Sequence, residues 1–144
     1  MKFPLAVLSL LFVMWSAGCS RHPAAPQNPI LGRYALAGYD NSGQLIFTGE
    51  ISFESLEQNH LKGKCVITRN QNAPEGLYDK NGGCEGMING KKLDLDLAPF
   101  MDDGGVLFEG EFDGSGRIRG TCLFDSYVGA RPFGRFEAVK RTLG

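Results

Sequence analysis

The chain has 144 residues, 42% of them hydrophobic, and sets 15 Lys and Arg against 16 Asp and Glu for a formal net charge of −1. No basic stripe rises above that near-balance, which argues against a nucleic-acid surface. Its length leaves room for one domain of ordinary size once any leader is removed.

The chain opens MKFPLAVLSLLFVMWSAGCS: one Lys, an apolar run from Phe3 to Trp15, then Ser16, Ala17 and Gly18 before Cys19. The run is well short of the ~20 residues a membrane span needs, so residues 1–18 read as a secretory signal peptide. WSAGC resembles the lipobox of bacterial lipoproteins, with Ser16 where that motif most often carries Leu. The resemblance implies that Cys19 is acylated, with palmitate-type chains, and becomes the mature N-terminus. Ser20 stands where retained lipoproteins carry Asp, which implies sorting to the outer membrane of a Gram-negative cell. Two or three acyl chains hold a protein stably where one is marginal. Ordinary secretion with cleavage near Gly18 is the alternative. Removal of the signal takes away Lys2 and Trp15, so the mature chain carries a charge of −2 and no tryptophan.

Residues 19–30 form the next segment, and SRHPAAPQNP within it has three prolines and no apolar periodicity, the composition of an extended or flexible tether. From 31 to 144 no apolar residues recur at helical spacing over three turns. Short period-two runs recur instead between Gly, Asn and Asp clusters, an all-β pattern. Eight strands are predicted near 31–39, 44–54, 60–68, 82–88, 91–98, 105–112, 117–125 and 132–140. One phrase, apolar-x-Gly-x-apolar, returns in FTGEI, LKGKC, CEGMI, FEGEF and IRGTC, with a looser echo in FGRF. Alternation places its glycine and apolar members on one face, and a glycine repeated in mid-strand signals repeated curvature.

LKGKC at 61–65 and CEGMI at 84–88 are near mirror images. An antiparallel hairpin that matches all three pairs sets Leu61 opposite Ile88, Gly63 opposite Gly86 and Cys65 opposite Cys84. Asn89-Gly90 is a type I′ turn signal, and it brings Leu93, Leu95 and Leu97 to the face of Cys84 and Gly86. Around DGSG at 113–116, Phe112 falls opposite Ile118, Gly110 opposite Gly120 and Phe108 opposite Cys122, with Glu111 facing Arg119 as an outer-face ion pair. The predicted fold is an eight-stranded antiparallel up-and-down barrel, which leaves no exposed sheet edge; the alternative is a two-sheet sandwich of the same strands. In plan the chain resembles the calycin group, the lipocalin-like and avidin-like barrels, with Gly32-Arg33-Tyr34 where lipocalins carry Gly-x-Trp and Arg135, Lys140 or Arg141 in the place of their last-strand Arg. A fainter similarity joins GARPFGRFEAVKR to the closing strands of surface lipoprotein barrels of the transferrin-binding type.

With Cys19 lipidated, three cysteines remain in an oxidising compartment. The mirror register selects a Cys65–Cys84 disulfide, closing the base of loop 69–81 and leaving Cys122 a free, buried thiol. The rival pairing is Cys65 with Cys122 through the core. No catalytic or metal constellation stands out. His60 is the sole histidine of the domain and reads as a polar strand-start residue. Asp94 and Asp96 are outward members of an alternating strand, and Asp102 and Asp103 do not complete an EF-hand spacing. DNSG at 40–43 and DGSG at 113–116 look like two copies of one Asp-capped turn. Phosphate loops and nucleophile elbows are absent, so the domain is expected to bind rather than to catalyse, with no cofactor and no nucleic-acid partner. The candidate ligand face carries Phe47, Ile51, Leu93, Leu95, Phe108 and Phe112, which either pack solidly or line a pocket for a small apolar molecule, its mouth formed by 69–81 and 98–105. A solid core leaves the second reading, a structural or protein-interaction lipoprotein whose partner is another envelope protein.

Overall fold

The computed structural model describes residues 28–99 and 105–142. The signal peptide, Cys19 and the tether before Asn28 lie outside the described residues. Eight strands run in chain order: β1 (Gly32–Tyr39), β2 (Leu45–Glu57), β3 (His60–Arg69), β4 (Lys80–Asn89), β5 (Lys92–Asp96), β6 (Val106–Phe112), β7 (Arg117–Phe124) and β8 (Arg131–Lys140). Each pairs antiparallel with the next, and β1 pairs with β8, so the sheet closes into the predicted barrel and not into a sandwich.

Closure depends on the glycines. A Cβ built at Gly49, Gly63, Gly86, Gly110, Gly120 or Gly134 falls within 3.0 Å of a carbonyl oxygen on the neighbouring strand. Real Cβ atoms do not approach that closely, so at these positions the strands bend together only because no side chain stands between them. The interior is then filled by the large members of the alternation. Phe47, Phe108 and Phe136 stack across it, with centroids 5.8 and 4.3 Å apart. Tyr34 meets Phe53 edge-on at 5.5 Å.

Register follows the sequence reading in the β6–β7 hairpin and departs from it in β3–β4 and β4–β5. Between β6 and β7, Phe112 pairs with Ile118, Gly110 with Gly120 and Phe108 with Cys122, as expected. Between β3 and β4 the expected pairing is corrected: Leu61 lies opposite Gly86, Gly63 opposite Cys84 and Cys65 opposite Gly82. The slip is by two residues. Because side chains alternate with period two, it leaves every inward residue inward, so the apolar pattern is blind to it. A short capped turn fixes β6–β7, whereas the ten-residue connection between Arg69 and Lys80 imposes no register. The observed pairing sets small against large, Gly63 beside Cys84 and Gly86 beside both Leu61 and Leu95.

Further differences are local. β2 runs to Glu57 through an irregularity between Phe53 and Ser55, and the turn that follows is Gln58-Asn59, both with positive φ (47° and 72°). The β4–β5 turn is Gly90-Lys91, one residue later than expected, since Asn89 pairs with Lys92. Its positive φ falls on Gly90 alone (63°), the pattern of a II′ turn rather than the expected I′. Arg119 does lie opposite Glu111, but its side chain turns the other way, to Glu137 on β8 at 2.9 Å, where Arg117 joins at 3.4 Å.

The two ends of the barrel differ. The turns after β2, β4 and β6 are tight and share one end with the incoming chain. There Ile30 is buried, its carbonyl accepts a hydrogen bond from the Tyr34 hydroxyl at 2.7 Å, and Lys140 Nζ donates to the Pro29 carbonyl at 2.6 Å. The connections after β1, β3, β5 and β7 are gathered at the opposite end.

Candidate functional site

Phe47, Ile51, Leu93, Leu95, Phe108 and Phe112 all face the barrel interior, and Phe112, the most exposed, retains 6% of its surface. Gly38 gives way to Phe47, since a Cβ there would fall on the Phe47 ring. The side chains belong to one packed cluster with Tyr34, Phe53 and Phe136. The clefts of about 430 and 540 Å³ open on the barrel's outer side and touch this cluster only at Phe136 and Phe112.

Cys65, Cys84 and Cys122 are buried, free thiols. The expected Cys65–Cys84 disulfide is therefore corrected together with the register that suggested it: the two cysteines sit diagonally on one face rather than directly opposite. They interact as thiols. The Cys84 thiol donates to the Cys65 sulfur, which raises the Cys84 pKa and lowers that of Cys65; burial adds to the first shift and opposes the second. Cys122 is the free, buried thiol expected, facing Phe108, and burial pushes it up to about 12.

At the loop end the segment 70–79 is held without a disulfide. The Arg69 amide donates to the Asp79 carboxylate at 2.7 Å, and Asn70 N–H reaches the Ile46 carbonyl at 2.8 Å. Leu77, in the middle of this otherwise polar segment, is 1% exposed and plugs it onto the barrel rim. A single Leu between Gly76 and Tyr78 was the available signal, too short to register as periodicity. Around Leu77 a cleft of about 200 Å³ opens between the loop and the β5–β6 rim, walled by Ile67, Tyr78, Leu97, Ala98 and Val106. Tyr78 stands at its edge, largely exposed, and the connection after β7 exposes Tyr127 and Val128 at the same end of the barrel. Phe124 and Phe133 stack at 4.1 Å, and the Phe124 ring lies beneath Gly76.

The outer face offers chemistry of another kind. A groove of about 430 Å³ runs between Tyr39, Arg119, Arg135 and Glu137, with the Arg135 guanidinium 6.0 Å from the Tyr39 ring centroid. His60 pairs with Glu85 at 3.4 Å. Asp94 is exposed, and Asp96 receives the Ala98 amide at 2.7 Å. The two Asp-capped turns share one bond pattern: Asp40 receives the amides of Ser42 and Gln44 at 2.8 and 2.9 Å, and Asp113 those of Ser115 and Arg117 at 2.7 and 3.0 Å. The serine hydroxyl and these amides hold both carboxyls below the usual range. Their bonding capacity is spent on their own turns.

No family model matches the chain, and no curated protein matches it. Solved structures do. A redesigned β-barrel, mFAP1, bound to DFHBI is 12% identical over 78% of this chain and 95% of its own, with a TM-score of 0.54. Another redesigned β-barrel, b11L5F_LGL, is 14% identical over 80% and 93%, also at 0.54. EF1p2_mFAP2b bound to DFHBI is 12% identical over 79% and 94%, at 0.55. At these identities the likeness is one of fold: a closed eight-stranded β-barrel.

Proposed function

We propose that this chain is an outer-membrane lipoprotein, held by acyl chains on Cys19, whose barrel binds a small apolar group at its loop end. The observation that carries the binding reading is the cleft of about 200 Å³ between Leu77 and Val106, mostly apolar, bordered by Asp79 and Lys80 on the loop side and open at Tyr78. A dry cavity of ~150 Å³ is enough for benzene, so the cleft suits one aromatic ring or a short branched acyl segment. The stacked Phe47, Phe108 and Phe136 rings occupy the interior below it, which moves the expected ligand from the barrel's centre to its mouth. Barrels of similar fold, mFAP1 and EF1p2_mFAP2b, carry a small molecule, DFHBI; that supports the capacity of the architecture and not the identity of a ligand. The lipid anchor is supported by WSAGC and the Pro-rich tether.

An anilinonaphthalene sulfonate dye is expected to bind the folded protein with about one equivalent. Val106→Trp, which fills the cleft from the β6 side, abolishes the binding. Saturable binding that survives Val106→Trp, or none at all by the wild type, contradicts the site. Absence of binding would favour the second reading, a protein-interaction lipoprotein, which draws on Tyr127 and Val128 exposed at the same end.

A further inference from the structure

Charge is segregated along the barrel axis. The turn end carries Arg33, Lys91, Lys92, Arg117, Lys140 and Arg141 in or beside its turns and chain termini, against the carboxylates of Glu57, Glu111 and Asp113. The loop end carries Asp40, Glu75, Asp79, Asp96 and Asp125 in or beside its connections, against Arg69, Lys80 and Arg131 among the described residues. Some basic charge is shared with the barrel wall, where Glu50 holds Arg33 and Arg141 and Glu137 holds Arg117. Lys91 and Lys92 are exposed in the β4–β5 hairpin and have no ion-pair partner among the described residues. Asp113 is occupied by its own turn.

The chain enters at this same end. Lys140 grips the Pro29 carbonyl and Ile30 is buried under Tyr34, so the point at which the tether leaves the barrel is fixed. From Asn28 back to Cys19 there are nine residues, a reach of at most ~30 Å when extended. We propose that the turn end is a membrane-facing surface that rests on anionic phospholipid, so that the loop end with its cleft points away from the bilayer. The inference deepens the lipoprotein reading and rests on it for the position of the anchor. The attraction between the basic end and an anionic surface is its own physical ground. Glycerophosphate headgroups are the partner such a rim fits: exposed Lys and Arg around the turns, with Lys91 and Arg117 bordering an open groove of about 540 Å³.

The mature chain has no tryptophan, so single reporters are clean. The processed, lipidated protein carrying Glu57→Trp at the turn end or Tyr127→Trp at the loop end is returned to vesicles of phosphatidylglycerol and phosphatidylcholine containing a headgroup nitroxide. At low salt the Trp at position 57 is expected to be quenched several-fold more than the Trp at position 127. Lys91→Glu with Lys92→Glu erases that difference, and lowers the partition of any unanchored protein into the anionic vesicles by about tenfold or more. Equal quenching of the two reporters, or an asymmetry unaffected by the double reversal, overturns the proposal. Flotation at about 0.5 M salt, where surface attraction is screened, reports the anchor alone. A chain that no longer floats there contradicts the lipid on Cys19, while loss of preference for anionic over neutral vesicles at low salt contradicts the basic surface.

Discussion

Gly120 and Gly82 show how differently two strand glycines behave. A Cβ at Gly120 meets the Glu109 carbonyl oxygen and the Gly110 Cα, both backbone, whereas one at Gly82 meets only the tip of Lys80 at 3.9 Å. Gly120→Ala is expected to cost about 1–3 kcal/mol through strand displacement. Gly82→Ala is expected to be neutral, or stabilising by up to ~1 kcal/mol through the unfolded chain. Urea midpoints of the two variants check the contrast. Tyr34 supplies a pH signature. Burial, aided by the charge of Asp113, raises its hydroxyl to about 12 from a usual 10. The folded state therefore keeps a proton that the unfolded state releases: the stability is fully present below pH 10 and is lost as pH rises from 10 through 12, by at most ~1.4 kcal/mol per unit. Burial of Cys122 acts in the same sense from about pH 9 upward. Tyr34→Phe removes the Tyr34 share of this alkaline slope while costing about 1–3 kcal/mol at neutral pH, since the Ile30 carbonyl loses its buried donor. Denaturant titrations at pH 8, 10 and 11 separate the two effects. An unchanged slope in Tyr34→Phe would assign the alkaline loss elsewhere.

Strands and turns were legible where local chemistry fixed them. DGSG caps itself through Asp113, and the β6–β7 register follows from it residue by residue. The β3–β4 pair has no such turn. Its mirror motif matched like with like, yet the barrel sets Gly63 against Cys84, because a two-residue slip preserves the faces and only packing chooses between the registers. The disulfide inferred from the mirror failed for the same reason. The candidate site was legible in part. Segment 69–81 was recognised as a long connection, but its anchor Leu77 and its clamp from Asp79 to the Arg69 amide depend on contacts across ten residues of chain that periodicity does not encode. Leu77→Ala is expected to lower stability by about 2–5 kcal/mol if the loop stays docked. If the loop detaches instead, hydrogen exchange at Asn70 and Arg69 accelerates while that of β6 and β7 is unchanged. Either result supports Leu77 as the plug; a variant as stable and as protected as the wild type would refute it.

At the scale of the whole molecule, alternation, mid-strand glycines and strand count pointed to a closed barrel, which covers both edges, and left a two-sheet sandwich as the alternative; the β1–β8 pairing decides for the barrel. Whether that barrel was filled or hollow was not legible, because the same Phe and Leu positions serve both outcomes. The stacking of Phe47, Phe108 and Phe136 closes the centre, which is why the proposed binding site lies at the loop end. On the proposed anchoring, Cys19→Ala releases the protein from the membrane fraction, and a variant held as firmly as the wild type would place the anchor elsewhere. Heteronuclear NMR of the folded domain titrated with toluene tests the binding reading most directly. Saturable shifts confined to Ile67, Leu77, Tyr78, Leu97 and Val106, with Leu95 and Phe108 unmoved, are the expected result. Shifts centred on Phe47, Leu95 and Phe108, or none that saturate, would contradict it.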